Sequence, residues 1–200
     1  LVDREGENLL TVQLDTREDP AIPPFGFVID YLTYGGLYRE VWLEATAESR
    51  LTDLFVYTPT LQEAVVQWTA ELTPAAAAVR IRLETADGTL LAQQTAQAAE
   101  TGKMQLSVPE AQPWDTEHPV LHHAVAELLN AAGQPIDRKQ VTFGFRTAEF
   151  RADGFYLNGK KTFLRGLNRH QSYPYIGYAA PESLQREDAR VLQEELHCTA

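Results

Sequence analysis

The chain has 200 residues, of which 44% are hydrophobic and 10% aromatic, enough to bury a core in one large or two small domains. Its formal net charge of −11 at pH 7 argues against nucleic acid and anionic membrane surfaces as partners. No apolar run reaches the roughly 18 residues that cross a bilayer, and the single cysteine, Cys198, excludes an internal disulfide and a cysteine-based metal cluster. We expect a globular cytoplasmic protein.

Alternating hydrophobic and polar residues predict β-strands from the start of the chain to about residue 147. The first is Asn8–Leu14. The alternation is clearest in Ala64–Leu72 and in Val79–Leu83, which precedes a hairpin turn at Asp87-Gly88. Further strands are predicted at Met104–Val108, Val120–Leu129 and Val141–Phe145. Short strands about ten residues apart, separated by Gly, Pro and Asp turns, are typical of an immunoglobulin-like sandwich of about a hundred residues.

The pattern changes after residue 150. Phe155–Leu164 predicts a hairpin, with Asn158-Gly159 as its type I′ turn. A helix is predicted to open at Pro181 and to run to about Leu196, because its apolar residues recur near a 3.6-residue spacing. The chain begins without a methionine or a secretion signal and stops just after this helix, so we expect an internal piece of a longer protein.

Three segments resemble family 2 glycoside hydrolases, the group of β-galactosidases, β-glucuronidases and β-mannosidases. Asp30–Val41 is similar to the junction that ends the family's N-terminal sugar-binding sandwich. Pro113–Leu121, with Phe143–Arg146 downstream, is similar to the end of its immunoglobulin-like domain. Leu157–His170, which contains the sequence LRGLNRH, is similar to the first strand of its (β/α)8 barrel.

The resemblance implies a mostly β fold, in which an immunoglobulin-like β-sandwich is flanked by two incomplete domains. Residues 1–44 would be the end of a jelly-roll sugar-binding domain. Residues 45–147 would form the sandwich, and residues 148–200 the first strand and helix of a truncated (β/α)8 catalytic barrel.

Three residues are candidates for substrate binding. Asn168 and His170 come shortly after the apolar pair Phe163-Leu164, and functional side chains of a barrel lie at the carboxyl ends of its strands. The resemblance implies that His170 lines the sugar pocket; the alternative is a surface histidine. It also implies that Asp30 accepts hydrogen bonds from substrate hydroxyls, whereas the alternative is an aspartate that caps a turn.

The other singled-out residues are expected to be structural: Arg165 and Arg169 as braces of the barrel, Arg39 and Arg146 at domain junctions, Trp68 and Trp114 as core or interface anchors, and His122 and His123 in a strand. His197 and Cys198 are too isolated to predict a metal site. The sequence predicts no metal or other cofactor site in this chain. The resemblance is compatible with a parent enzyme that uses a monovalent or divalent cation. Many relatives carry glutamate where this chain has Gln171.

The resemblance implies a function for the longer parent enzyme. It also allows that parent to be a homo-oligomer. Retaining glycosidases use two carboxyl groups about 5–5.5 Å apart, and in this family both are glutamates from later barrel strands. We therefore expect this chain to contain no catalytic residue and to be inactive alone. Its parent is expected to hydrolyse terminal β-D-galactosides. A β-glucuronidase or β-mannosidase parent stays open. So does a non-catalytic immunoglobulin-like carbohydrate-binding module, which would carry exposed aromatics in a row on one sheet.

Overall fold

A computed structural model describes residues 3, 5–17, 19, 21 and 35–199. The chain divides into two compact units. The first unit consists of residues within 1–43 and 168–196, and the second of residues within 44–167 and 197–200.

Ten strands and one helix make up the regular structure of the described residues. The strands are β1 Arg50–Thr60, β2 Glu63–Glu71, β3 Ala78–Thr85, β4 Leu90–Gln97, β5 Thr101–Ser107, β6 His122–Leu129, β7 Pro135–Phe143, β8 Ala148–Arg151, β9 Gly154–Leu157 and β10 Lys160–Lys161. The helix, α1, spans Glu182–Arg190 and continues as a π-helical turn, Val191–Glu195.

Seven antiparallel strands of the second unit form two sheets, which share one core. The first sheet has the order β1-β2-β5 and the second the order β4-β3-β6-β7. In β2, Val66 and Trp68 turn inward, and Ile81 of β3 and Leu128 of β6 meet them from the other sheet. Burying a side chain of this size contributes about 1.5–3 kcal/mol relative to leaving it exposed. The alternation in β2 and β3 therefore reflects a two-sheet packing in which their inner residues fill the core. β6 is buried along almost its whole length, on both of its faces.

The ring of Trp68 explains a glycine in the neighbouring strand. Trp68 is opposite Gly102 in the pairing of β2 with β5, and its Nε1–H donates to the carbonyl oxygen of Ala99 at 3.0 Å. A Cβ added at Gly102 would lie 2.1 Å from Cζ2 of the indole, far inside contact distance. Only glycine lets the ring fill this part of the core.

The hairpin β8-β9-β10 confirms the turn expected from the sequence. Asn158 and Gly159 have φ of 51° and 76°, the positive values that a type I′ turn requires. The Asn158 side chain accepts a hydrogen bond from the backbone N–H of Thr147 at 3.0 Å and donates to the carbonyl oxygen of Trp114 at 2.9 Å. These two bonds attach the hairpin to the end of the sandwich.

Two predicted strands are wrong. Asn8–Leu14 has no strand structure and is exposed, because no strand of the described part of the chain lies beside it to take up its backbone hydrogen bonds. The pair Phe163-Leu164 is likewise not assigned to a sheet. The chain does return beside it, since the backbone N–H of Thr199 donates to the Arg165 carbonyl oxygen at 2.8 Å. The Thr199 hydroxyl accepts from the Arg165 N–H at 3.0 Å.

The helix is confirmed near its predicted start. It follows Pro181, whose side chain makes no capping hydrogen bond, and none of the residues of α1 is buried. The α-helical geometry ends at Arg190, six residues before the expected end, where the π-helical turn takes over. No helix among the described residues is long and apolar enough to cross a membrane.

Candidate functional site

A groove of about 360 Å³ lies within the first unit. It brings two segments together that are far apart in the sequence, and the described residues of its lining are Tyr38, Arg39, Arg169, His170, Gln171 and Tyr178. A guanidinium nitrogen of Arg39 donates to the carbonyl oxygen of Tyr178 at 3.3 Å and so bridges the two segments. The Arg39 guanidinium also lies 5.9 Å from the centre of the Tyr38 ring.

The segment that carries His170 is held by the residue before it. The Arg169 guanidinium binds the Asp188 carboxylate and donates to Oε1 of Gln185 at 2.7 Å, so both of its partners lie on α1. The hydroxyl of Tyr173 donates to the same carboxylate. These contacts, which we call the Arg169 clamp (Arg169, Tyr173, Gln185 and Asp188), fix the chain on either side of His170.

The clamp also determines the charge state of its central carboxylate. The hydrogen bond from Tyr173, reinforced by the Arg169 guanidinium, holds the pKa of Asp188 below its ordinary value. Asp188 is therefore an anion at neutral pH, where it neutralises Arg169. A guanidinium engaged in this way braces its neighbour, as the sequence suggested for Arg169.

The three residues predicted to bind substrate have different positions. His170 is exposed and lines the groove. Asn168 is exposed but does not contribute to the lining, and Asp30 lies outside the described residues. The sequence reading missed Tyr38 and Tyr178 and assigned Arg39 to a domain junction. The adjacent aromatic and basic residues Tyr38 and Arg39, inside the segment Asp30–Val41, could have indicated a binding site there.

The described lining offers groups for hydrogen bonding. Its residues contribute two guanidinium groups, an imidazole, a carboxamide and two phenols. Such a set can donate to the hydroxyl or carboxylate oxygens of a ligand. This set of groups can therefore bind and orient a polar ligand.

The carboxylates of the helix are engaged elsewhere. Arg190 forms ion pairs with Glu187 at 2.7 Å, Glu194 at 2.9 Å and Glu195 at 3.0 Å. The hydrogen bond from Arg190 lowers the pKa of Glu187, the opposite of what a general acid requires. Across residues 3–199 as far as they are described, no three His, Cys, Asp or Glu side chains group closely enough to hold a metal ion.

Comparison with known proteins connects these features to one family. Residues 49–146 match the family model described as "Glycosyl hydrolases family 2". The chain is 36% identical to a β-galactosidase of Thermoanaerobacter pseudethanolicus, over 95% of this chain and 27% of that protein. It is 37% identical to a β-galactosidase of Rhizobium meliloti, over 88% of this chain and 25% of that protein. The chain thus spans about a quarter of the length of these relatives.

Solved structures give the same result. A glycosyl hydrolase family 2 member from Bacteroides cellulosilyticus superposes with a TM-score of 0.72 at 25% identity, over 80% of this chain and 24% of that one. The β-glucuronidase of Bifidobacterium dentium, solved with coumarin-3-O-glucuronide, superposes with a TM-score of 0.65 at 26% identity, over 76% of this chain and 26% of that one.

Proposed function

Because the chain belongs to glycosyl hydrolase family 2, we propose that it is part of a retaining enzyme that hydrolyses terminal β-D-galactosides. The relatives named β-galactosidase, at 36–37% identity, support this choice of substrate. In this proposal the chain supplies scaffold and part of the substrate pocket, while the rest of the parent enzyme supplies the chemistry.

The observation that carries the proposal is the groove around His170. Its lining presents an imidazole between the clamped Arg169 and the Gln171 carboxamide, next to Arg39. Sugar hydroxyls both donate and accept hydrogen bonds, and an imidazole can do either, depending on its tautomer. We propose that His170 contacts hydroxyls of the bound glycoside and that the Arg169 clamp keeps it in position. Asn168 and Asp30 stay predicted substrate contacts.

We further propose that both catalytic glutamates lie outside this chain. Double displacement needs two carboxyl groups about 5–5.5 Å apart at the glycosidic bond, one of them with a raised pKa. Among the residues that the structure describes, the groove lining includes no carboxylate. The helix carboxylates are paired with arginines, and the pKa values of Glu187 and Asp188 are lowered. The chain alone should therefore not turn over substrate.

The domain assignment is part of the same proposal. Residues 45–147 are proposed to be an immunoglobulin-like domain, because a three-strand sheet 1-2-5 facing a four-strand sheet 4-3-6-7 has the Greek-key connections of that fold. Residues 148–200 are proposed to begin the (β/α)8 barrel. The helix α1 follows Arg165 in the chain, and Thr199 returns after it to pair with Arg165, which supports a barrel in which a helix connects neighbouring segments of the sheet. Residues 1–44 are proposed to end a jelly-roll domain.

A β-glucuronide is the second candidate substrate. The guanidinium of Arg39 in the groove favours it, because arginine pairs well with the carboxylate of a uronic acid. The superposition on a β-glucuronidase supports the same alternative.

The test uses the complete gene product that contains this chain, assayed on 4-nitrophenyl β-galactoside, β-glucuronide and β-mannoside. We expect the galactoside to have the highest kcat/KM, and His170→Ala to lower it by roughly 10- to 150-fold, the value of one hydrogen bond to a charged or developing-charge group. His118→Ala, at an exposed histidine of the second unit, is the matched control. Equal kcat/KM in both variants would contradict the role of His170. A higher kcat/KM for the glucuronide than for the galactoside would show that the proposed substrate is wrong.

A further inference from the structure

A second groove of about 360 Å³ lies on the sandwich. It is open on one side and its lining comes from three neighbouring strands, namely Asp53 and Phe55 of β1, Gln67, Trp68 and Thr69 of β2, and Thr101, Gly102 and Lys103 of β5. None of these residues lines the groove that contains His170. We call this second site the β1-β2-β5 groove.

The strand register places the exposed side chains of this groove in two cross-strand rows. In one row Phe55 is paired with Gln67, which is paired with Lys103. In the next row the partners are Asp53, Thr69 and Thr101. Alternate residues of a strand point to opposite faces, and Leu54 and Trp68, which lie between the two rows on β1 and β2, are in the core. The two rows therefore share the outer face of the sheet.

One edge of the groove is an aromatic surface. Phe55 is 55% exposed and Tyr57, two residues further along the same face of β1, is 42% exposed. Their ring centroids are 6.2 Å apart. Removing the apolar surface of these rings from water is favourable, and the apolar C–H face of a sugar ring can stack on them. The pair gives this side of the sheet two adjacent exposed rings, of which Phe55 lines the groove.

The polar side chains of the groove have no partner in the described structure. Neither a hydrogen bond nor an ion pair is formed by the side chains of Asp53, Gln67, Thr69, Thr101 and Lys103 within that part of the chain. Together they offer a carboxylate, a carboxamide, two hydroxyls and an ammonium group, so donors and acceptors are both present. A ligand rich in hydroxyl groups can use all of them.

We infer that the β1-β2-β5 groove binds a neutral oligosaccharide, with a sugar ring on Phe55 and its hydroxyls hydrogen-bonded to Asp53, Gln67 and Lys103. The volume lies within the range of small-molecule sites, about 300–1,000 Å³. The exposed carboxylate and the net charge of −11 work against a polyanion. A peptide strand would add to a sheet edge, whereas this groove crosses the face of three strands.

The experiment is a titration of the isotopically labelled 200-residue chain with β-1,4-galactotetraose, followed by amide chemical shifts. We expect saturable shifts concentrated at the groove residues of β1, β2 and β5, with a Kd of about 1 mM. Phe55→Ala should weaken binding about tenfold, and Gln67→Ala should weaken it as well. Tetragalacturonic acid, an anion of similar length, should bind at least tenfold more weakly than the neutral probe.

Two control variants test whether the sugar binds at the β1-β2-β5 groove and not elsewhere on the chain. Phe150→Ala removes a phenylalanine that is 85% exposed in the hairpin, and it should bind the sugar like the parent chain. His118→Ala, at an exposed histidine that lines neither groove, should also leave the Kd unchanged. Loss of binding in His170→Ala but not in Phe55→Ala would overturn the proposal, as would equal binding of the anionic probe or no shifts at the groove.

Self-association is the remaining alternative occupant of this face. If sedimentation shows a dimer of the chain that Phe55→Ala dissociates, and the sugar produces no shifts, the face is an interface between copies and the inference is wrong. The spectrum of each variant also reports whether it is folded. Gln67→Ala, an exposed polar change, keeps the test decisive if Phe55→Ala is not folded.

Discussion

At the scale of single residues, the most unusual polar group in the sandwich is an imidazole. His122 is 3% exposed, and its ring centroid lies 5.9 Å from that of Phe143 and 5.0 Å from that of Phe145. Its Nδ1 is buried and has no hydrogen-bond partner among the residues that the structure describes. The side chain confirms the structural role expected for this histidine, as part of an aromatic cluster at one end of the core.

This burial predicts a pH-dependent stability. Burial, together with the positive charge that His123 can carry, lowers the pKa of His122 below its ordinary value of about 6.5. The unfolded chain then takes up the proton more readily than the folded one. The contribution of the neutral His122 side chain to the free energy of unfolding is fully present above a pH of about 6.5. It is lost as the pH falls toward the pKa of His122 in the folded chain.

Urea unfolding at pH 7, 6 and 5 would measure this loss, and His122→Phe should reduce the decrease in unfolding free energy over that range. His118→Gln, at an exposed histidine, serves as the control and should keep the decrease. An unchanged pH dependence in His122→Phe would contradict the argument.

A second residue-scale prediction concerns Gly102. The Cβ of Gly102→Ala would lie 2.1 Å from Cζ2 and 2.5 Å from Cη2 of Trp68, so ring or strand must shift. Overpacking of this kind costs about 1–3 kcal/mol of unfolding free energy. In a Trp68→Phe background the smaller ring should relieve much of the clash. A double-mutant cycle by urea unfolding tests this coupling, and strictly additive effects would show that the contact is not the cause.

At the scale of elements, the strands that the sequence predicted well are those with one buried face. β2 and β3 alternate because their inner residues pack in the core. β1 was missed because a register shift between Leu51 and Asp53 breaks its alternation and its outer face carries Phe55 and Tyr57. β4 was missed because it is an edge strand with mostly exposed residues.

The element that positions His170 is the helix, through the Arg169 clamp. In Asp188→Ala, Arg169 and Tyr173 lose their shared acceptor, so the segment around His170 should become less ordered. We expect the imidazole resonances of His170 to shift and broaden relative to the parent chain. Glu182→Ala is the control, because it removes only an exposed ion pair with Arg186 on the same helix. Equal spectra in the two variants would show that the clamp does not hold His170.

At the scale of the whole molecule, the sequence revealed the family and the mostly β architecture but only part of the candidate site. LRGLNRH identified His170 because the motif is local. Arg39 and Tyr178 are 139 residues apart and meet through tertiary structure that no local pattern encodes. The strand prediction for Asn8–Leu14 failed for the same reason. Alternation shows that a segment can pair in a sheet, but not that a partner strand is present. The domain boundaries, the cytoplasmic location and the substrate contacts of Asn168 and Asp30 stay predictions.

The stability of the whole sandwich should depend on one aromatic residue near its end. Phe145 is fully buried, its carbonyl oxygen accepts from the N–H of Trp114 at 2.9 Å, and its ring packs against Phe143 and His122. Phe145→Ala leaves a cavity that costs about 3–5 kcal/mol. Domains of this size are stable by only about 5–15 kcal/mol, so the loss should move the urea midpoint of the entire sandwich. Phe150→Ala, at an exposed ring, should leave that midpoint within error; equal shifts in both variants would mean that Phe145 is not part of the cooperative core.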